Sequence, residues 1–208
     1  MAQVGDRFCH GGRSAGSPFG LGYHRRMIKS PRISLQPVEQ VSSASAYDAV
    51  MSSRHGLAPW MHWLTSAYSL RDQQAFQARC AVLRGAGLEF NYGIVTPGGQ
   101  VLGVCGLHRI DVLHATAEAG YWVRMDHWRR GVARRALTQL LDKAFREHVL
   151  SRVELIIDCD NTASIGLAEA IGACREARLQ QRVFRDDARH DAWLYAVTRS
   201  RWSASRTR

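Results

Sequence analysis

The helix with the clearest pattern in the chain begins within the stretch Trp128-Arg129-Arg130-Gly131-Val132-Ala133-Arg134. Apolar residues recur at three- and four-residue intervals after this stretch, which predicts an amphipathic helix over residues 132–149. Gly131 allows a tight backbone turn, and the small side chain of Ala133 lets a ligand approach the first helical turn. Because the first amides of a helix lack intrahelical partners and lie at the positive end of its dipole, this junction predicts an anion site.

Arginine is concentrated around the same helix start. Five arginines fall within twelve residues and only Asp126 opposes them; they are Arg124, Arg129, Arg130, Arg134 and Arg135. Several guanidinium groups suit a diphosphate better than they suit a single carboxylate. An ordinary helix start with solvated arginines is the alternative, and this stretch taken alone favours that alternative.

The flanking sequence predicts a single mixed α/β domain. The expected order is a strand, two helices, three antiparallel strands, the long helix, a strand, a short helix and a final hairpin. The expected strands cover 32–37, 88–96, 100–110, 117–124, 152–159, 178–185 and 192–199, and the expected helices cover 38–53, 70–84, 132–149 and 162–171. Pro97-Gly98-Gly99 marks the turn between the second and third strands.

Composition limits the classes of protein that this chain can belong to. It has 208 residues, of which 46% are apolar and 22% charged, so it is long enough for one domain with a sizeable core. No apolar run approaches the roughly 18 residues that span a bilayer, and the first twenty residues lack the apolar segment of a secretory signal. The five cysteines form no C-x-x-C pair and the nine histidines show no metal-ligand spacing. We therefore expect a cytoplasmic protein without a membrane segment or a structural metal.

The formal net charge of +10 is concentrated at the two ends of the chain. Residues 1–32 and 199–208 have net charges of +5 and +4, whereas residues 33–198 carry 18 basic and 17 acidic groups. We therefore do not expect the domain itself to bind nucleic acid. Weak contact of the basic ends with RNA is an alternative to their simply keeping the protein in solution.

The same pattern predicts the domain boundaries. We expect residues 1–27 to be a disordered basic tail, residues 28–200 to be the domain and residues 201–208 to be a basic C-terminal tail. Met27 is an alternative start of the native protein. A mitochondrial transit peptide is a competing interpretation of the first tail, although that tail lacks an amphipathic apolar face.

Three further motifs surround the helix start. They are Pro59-Trp60-Met61-His62-Trp63 between the first two helices, Glu118-Ala119-Gly120-Tyr121-Trp122 on the preceding strand and Asn161-Thr162-Ala163-Ser164 at the next helix. Together with residues 128–133, where Trp128 takes the first position of a Q/R-x-x-G-x-G/A loop, they resemble the GNAT family of acyl-CoA N-acyltransferases. The resemblance covers residues 32–199 and is to the RimJ/RimL-type branch, the ribosomal-protein N-terminal acetyltransferases.

This resemblance implies a single GNAT-type α/β domain, with a mixed, mostly antiparallel twisted sheet and helices on both faces. It also implies that acetyl-CoA is the co-substrate, with its pyrophosphate on the helix start and its pantetheine arm between two splayed strands. The residues that it implies for cofactor binding are Trp122, Val123, Arg124, Arg129, Arg130, Gly131, Val132, Ala133, Arg134, Asn161 and Ser164.

Acetyl transfer requires a neutral amine, so a carboxylate that removes a proton is expected. Glu118 is the candidate base, and a solvated or ion-paired strand carboxylate is an equally weighted alternative. Ser164 is the candidate proton donor to the departing thiolate, whereas its alternative role is to satisfy the amides of its own helix. No cysteine is flanked by a base in the pattern of a ping-pong enzyme, which favours direct attack in a ternary complex.

Trp60, Trp63 and His108 are the candidate acceptor-binding residues. Core packing is the favoured alternative for the tryptophans, and a structural role is the alternative for the histidine. The resemblance implies a protein N-terminal α-amine as the acceptor. A polyamine, an aminoglycoside or another small amine is an alternative that an acidic groove would favour. A non-enzymatic alternative is a GNAT-fold module that binds RNA or the ribosome without catalysis. The resemblance is also compatible with a homodimer.

Overall fold

Seven strands form one sheet in the computed structural model, which describes residues 31–206. The strands are β1 (Ser34–Pro37), β2 (Phe90–Val95), β3 (Val101–Asp111), β4 (Thr116–Val123), β5 (Arg152–Asp158), β6 (Cys174–Arg185) and β7 (Ala188–Thr198). Their order across the sheet is β1-β2-β3-β4-β5-β7-β6. Strands β4 and β5 are parallel, and the other neighbouring pairs of this sheet are antiparallel. The predicted mixed, mostly antiparallel sheet is confirmed.

Helices cover both faces of the sheet, as predicted. They are α1 (Ser43–Met51), α2 (Arg54–Leu57), α3 (Leu70–Gly85), α4 (Val132–Arg146), α5 (Thr162–Ala170) and α6 (Arg199–Arg206), with 3₁₀ turns at Val38–Gln40 and Met125–His127. One core lies between the sheet and helices α4, α5 and α6. A second core lies between the opposite face and helices α1 and α3. On β4, Tyr121 and Val123 pack on the first core and Trp122 packs on the second, as the two-residue period of a strand requires.

The amphipathic pattern of α4 predicts its packing correctly. Its apolar face is buried and comprises Val132, Ala136, Leu137, Leu140, Leu141, Ala144 and Phe145. The helix ends at Arg146 rather than at residue 149. The Leu150 amide donates to the Ala144 carbonyl (3.0 Å) and Val149 adopts a left-handed φ of +54°, so the chain reverses there into β5.

The helix expected over residues 38–53 is shorter in the structure. Val38–Gln40 form a 3₁₀ turn, and α1 begins only after Ser42, whose side chain accepts a hydrogen bond from the Ser45 amide (3.2 Å). Serine is a preferred N-cap residue because its short side chain satisfies a free amide. The later start therefore follows from a local signal that the apolar pattern hides.

Strands β6 and β7 form a longer hairpin than the sequence predicts. β6 begins at Cys174 rather than at residue 178, and β7 begins at Ala188 rather than at residue 192. The additional residues are exposed or half-buried, so they lack the apolar alternation by which a strand is recognised. Asp186 and Asp187, both with positive φ, form the turn between the strands.

The predicted C-terminal tail is wrong for residues 201–206, because they belong to α6. Trp202 is buried, its ring lies 6.5 Å from the ring of Phe145, and its Nε1 donates to Asp142 (2.9 Å). The Arg206 guanidinium also pairs with Asp142. The charge pattern predicts a solvated segment, whereas the buried indole, together with two contacts to Asp142, anchors this helix on α4.

The predicted tail over residues 1–27 lies outside the described residues, as do residues 28–30 and 207–208. Within residues 31–206, no helix has the length and apolar composition needed to cross a bilayer. In the same part of the chain, no three His, Cys, Asp or Glu side chains are grouped so that they could hold a metal ion.

Candidate active site

Strands β4 and β5 separate from one another partway along the sheet. They pair only over residues 116–118 and 152–154, and both strands then continue on opposite sides of a gap. A cavity of about 1040 Å³, called here the larger cavity, meets a second of about 560 Å³, the smaller cavity, at this gap. The residues that line both are Trp60, Met61, Tyr121, Trp122, Asn161 and Ser164.

The smaller cavity lies at the N-terminus of α4. Arg129 and Gly131 adopt left-handed φ values of +58° and +75°, and within the described residues no side chain caps the helix. The first amides of α4 are therefore available to an external acceptor at the positive end of the helix dipole. The predicted loop residues that line this cavity are Arg129, Gly131, Val132, Ala133 and Arg134. The anion site predicted from the sequence has the backbone geometry that such a site needs.

Trp128 connects this loop to the end of β4. Its Nε1 donates to the Val123 carbonyl (2.6 Å), and its ring packs so closely on α2 that a Cβ at Gly56 would lie 2.6 Å from it. A glycine is therefore required at position 56 for the indole to fit. Trp128 fixes the position of the loop relative to the strand that lines the gap.

Two predicted cofactor residues do not bring their side chains to the smaller cavity. Arg124 pairs with Asp48 (2.5 Å) and Asp126 (3.0 Å) on the α1 side, and these contacts raise its pKa against the opposing effect of burial. Arg130 is likewise not part of the described cavity lining, whereas Trp122 and Val123 are. Proximity in sequence to the loop is therefore not enough to bring the Arg124 side chain to this cavity, because that side chain pairs with Asp48 and Asp126.

Asn161 and Ser164 meet Tyr121 at the junction of the two cavities. Asn161 Oδ1 accepts the Ser164 amide (3.0 Å) as the N-cap of α5, and the Tyr121 hydroxyl donates to Ser164 Oγ (2.8 Å). Burial raises the pKa of Tyr121 above its ordinary value, while the Ser164 contact opposes the rise. Since Asn161 caps the helix, the Ser164 hydroxyl is not used for capping and faces the junction. Tyr121 is the partner that the sequence did not reveal.

Aromatic side chains form one wall of the larger cavity. They are Trp60, Trp63, Tyr68, Phe76, Tyr121 and Trp122. Trp63 is 42% exposed, and its ring lies 5.4 Å from Tyr68 and 6.4 Å from Trp122. The geometry therefore favours the cavity-wall interpretation of the two predicted tryptophans over simple core packing. Burial, followed by the charge of Asp72, raises the pKa of Tyr68 to about 12.

The ionised groups that line the larger cavity are nearly balanced. They are Asp72, Arg79, Asp158, Arg182 and Arg185. Arg185 on β6 pairs with Asp158 (2.9 Å) and Asp160 on the loop after β5, and its guanidinium carbon lies 5.2 Å from the Trp60 ring centroid. The Arg185 side chain thus connects the β6–β7 hairpin both to the end of β5 and to the segment that carries Trp60.

Glu118, the predicted base, is paired with arginines. Its Oε1 lies 3.3 Å from Arg109 Nη1 and 3.5 Å from Arg182 Nη2. A bulge after His108 gives Arg109 a left-handed φ of +49°, and one extra residue in β3 brings the guanidinium to Glu118. In the described chain Glu118 is not part of the lining of either cavity. The geometry favours the ion-paired alternative.

His108 lies on the larger cavity, and Glu89 accompanies it. His108 Nδ1 lies 3.4 Å from Glu89 Oε2, and a Cβ at Gly120 would lie 3.3 Å from His108 Nε2. The sequence analysis missed Glu89. The hairpin pairs Phe90 with Leu107, which places Glu89 beside His108. The predicted turn at 97–99, with the correct register, would therefore have identified this neighbour.

The two most buried cysteines are unsuited to act as nucleophiles. Burial raises the pKa of the Cys80 thiol to about 11 and that of the Cys105 thiol further. Only the thiolate is strongly nucleophilic. Within the described chain, neither residue is part of the lining of the two cavities.

Comparison with known proteins gives one family match. The profile of the family described as Acetyltransferase (GNAT) domain matches residues 32–173. The ribosomal-protein-serine acetyltransferase of Escherichia coli (strain K12) is 26% identical over 167 residues, which cover 80% of this chain and 93% of that protein. The uncharacterized N-acetyltransferase YoaA of Bacillus subtilis (strain 168) is 28% identical over 102 residues, or 49% of this chain. This chain spans 58% of the length of YoaA.

A solved structure shares the fold. The microcin C7 self-immunity acetyltransferase MccE, in complex with acetyl-CoA and AMP, superposes with a TM-score of 0.74 at 18% identity. The superposition covers 82% of this chain and 94% of MccE. At this identity the likeness establishes the common architecture alone.

Proposed function

Because the chain belongs to the GNAT family of acetyltransferases, we propose that it transfers an acetyl group from acetyl-CoA to the N-terminal α-amine of a protein. The amine attacks the thioester directly, within a ternary complex. The observation that carries the proposal is the junction at Tyr121 and Ser164. There, a cavity with free helix amides meets a larger cavity with aromatic walls.

Acetyltransferases of this family use acetyl-CoA, and the smaller cavity fits it. The first amides of α4, with Arg129 and Arg134 beside them, would bind the pyrophosphate. The gap between β4 and β5 would take the pantetheine arm, because strand backbone facing the gap can pair with its amides. Trp122, Val123 and Asn161 line this path.

The larger cavity supports a peptide end as the acceptor. Its volume of about 1040 Å³ is far larger than a single small amine needs. Three arginines and two aspartates line it, so it lacks the excess of carboxylates that a polycation would favour. The E. coli relative is named for acetylating a ribosomal protein, which supports the same acceptor class.

Ser164 completes the chemistry on the thiol side. It would donate a proton to the departing thiolate as the amine nitrogen bonds to the acetyl carbon. Tyr121, which already donates to Ser164 Oγ, would restore that proton. The proton that the amine loses requires a base on the side of the larger cavity, where Glu118 and His108 are the candidates.

The test supplies acetyl-CoA and one of three acceptors. The first is a short peptide with a free N-terminal serine, the second is that peptide with its N-terminus formylated and an internal lysine added, and the third is spermidine. Release of free thiol and the mass of each product are measured. We expect acetylation of the free N-terminus alone. Faster acetylation of spermidine or of lysine would overturn the assignment of the acceptor. Absence of acetylation of all three would overturn the proposed function.

A further inference from the structure

We propose that His108 is the general base that deprotonates the acceptor amine, that Glu89 is its positioning residue, and that Glu118 does not act as the base. This inference rests on the proposed acetyl transfer and assigns a role in that reaction. It follows from where each of the three side chains lies and from what each contacts.

His108 lies beside the gap between β4 and β5, where the acetyl group would be transferred. Beyond Glu118, strand β4 loses its pairing with β5, so Ala119, Gly120 and Tyr121 face the gap. A Cβ at Gly120 would lie 3.3 Å from His108 Nε2 and 3.5 Å from Cδ2, so the edge of the imidazole lies directly over Gly120. A Cβ at position 120 would require the ring to shift by a few tenths of an ångström. The glycine leaves space for both the imidazole and an incoming amine.

Glu89 is held so that it can orient the imidazole. Its Oε2 lies 3.4 Å from His108 Nδ1, accepts a hydrogen bond from Asn91 Nδ2 (3.2 Å) and lies 3.7 Å from Arg79 Nη2. Asn91 is itself buried, and a Cβ at Gly106 would lie 2.3 Å from its Oδ1. With Nδ1–H directed at Glu89, His108 presents the lone pair of Nε2 to the larger cavity.

Glu118 is less suited to this role because two arginines engage it. Arg109 and Arg182 both approach its Oε1, so the carboxylate is already engaged by two guanidinium groups, and within the described residues Glu118 is not part of the lining of either cavity. Arg109 has its left-handed conformation at the bulge in β3 from which its guanidinium reaches Glu118. Glu118 instead balances the charge of these two arginines.

The proton balance is simple. His108 Nε2 takes one proton from the acceptor ammonium, and the resulting neutral amine forms the C–N bond while the C–S bond breaks. The Glu89 carboxylate stabilises the imidazolium that forms. His108 is about one-third exposed, so it can release the proton to water. The charged groups that face it are Glu89, Arg79, Glu118 and Arg182.

Kinetics of variants with the peptide acceptor test the assignment. His108→Gln should lower kcat by about 100-fold and leave acetyl-CoA binding intact. Glu89→Gln should lower kcat by about tenfold with little change in KM, and Glu89→Asp should recover part of the loss. Glu118→Gln should cost less than His108→Gln. His114→Gln is the matched control, because this histidine lies in the exposed turn after β3.

Two further readouts separate catalysis from a structural role. The fall of kcat/KM on the acid side of its pH profile should disappear in His108→Gln and persist in Glu118→Gln. Imidazole nitrogen NMR of the wild-type protein should show His108 as the Nδ1–H tautomer, and Glu89→Gln should weaken that preference.

Each contrary outcome has a distinct meaning. If the wild type is active and His108→Gln has the same kcat, the base assignment is overturned while the proposed function stands. The same holds if NMR finds His108 as the Nε2–H tautomer. Loss of the acid limb in Glu118→Gln alone would return the role to Glu118. A wild type that binds acetyl-CoA but acetylates no amine would overturn the proposed function, and the base assignment with it.

Discussion

The two cavities share the six residues at their junction, but the rest of each lining comes from different parts of the chain. Outside that junction, the smaller one is lined mainly by the stretch 128–134, whose backbone forms the helix start, and by the start of α5. The larger one takes its walls from side chains on the segment 59–63, on α3 and on strands β2 to β6. Ligand binding in the smaller cavity should tolerate changes of flanking side chains but not a change of the backbone turn. Ligand binding in the larger cavity should be sensitive to the side chains that form its walls. The predictions below test this contrast.

The largest effect is expected from Gly131→Trp. The left-handed φ of +75° and the ligand's approach to the first turn of α4 both exclude a large side chain. Affinity for acetyl-CoA, measured by calorimetry, should fall by at least about 100-fold, which corresponds to about 2.7 kcal/mol. Gly87→Trp is the control, because Gly87 has a φ of +71° and open space around it. An equal loss of acetyl-CoA affinity in both variants would mean that strain from a side chain at a left-handed position, and not a blocked cofactor site, explains the effect.

Ser164→Ala tests the junction between the cavities. Removal of the proton donor should lower kcat by about 30-fold, while the affinity for acetyl-CoA stays within about twofold. Tyr121→Phe should cause a smaller loss, because Ser164 keeps its hydroxyl and loses only the 2.8 Å contact. Ser200→Ala, a hydroxyl deletion on α6, is the control. Unchanged kcat in Ser164→Ala would remove this residue from the proposed chemistry.

Trp63→Ala tests the larger cavity. The exposed ring contacts Tyr68 and Trp122, and its loss should raise KM for the peptide acceptor by about tenfold, or about 1.4 kcal/mol. Acetyl-CoA affinity, measured on the same preparation, should not change. A matching loss of acetyl-CoA affinity would show that the two cavities are not independent and would break the comparison.

The smallest effect is expected from Arg134→Gln. If the backbone amides supply most of the binding, removal of one flanking guanidinium should weaken acetyl-CoA binding only about threefold at physiological salt. Arg135→Gln is the matched control, because its side chain reaches the Pro31 carbonyl (3.3 Å) instead of the cavity. A loss approaching that of Gly131→Trp would show that the side chains dominate this site as well.

The same contrast explains what the sequence could predict. The smaller cavity follows from local rules, namely the apolar period of α4, the glycine at 131 and the preference of helix starts for anions. These rules need no knowledge of distant contacts. Arg124 is an exception, because its side chain pairs with Asp48, which lies far away in sequence.

The larger cavity could be predicted only in part. Trp60, Trp63 and His108 were identified from sequence, and all three line it. The pairing of Glu118 with Arg109 depends on a bulge in β3, and no residue type in that stretch predicts a bulge. The contact of Glu89 with His108 depends on hairpin register, and the buried Trp202 contradicted the charge pattern around it. Long-range contacts of this kind are set by packing rather than by local propensity.

The position of β7 in the sheet has a consequence for synthesis. β7 lies between β5 and β6, and α6 follows it to place Trp202 in the core. During translation the ribosome must therefore release residues up to about 202 before the strand order is complete. Until then β5, the wall of the gap, has an open edge towards solvent. Nascent chains stalled before β7 should depend on chaperones, and cofactor binding should begin only after that strand has emerged.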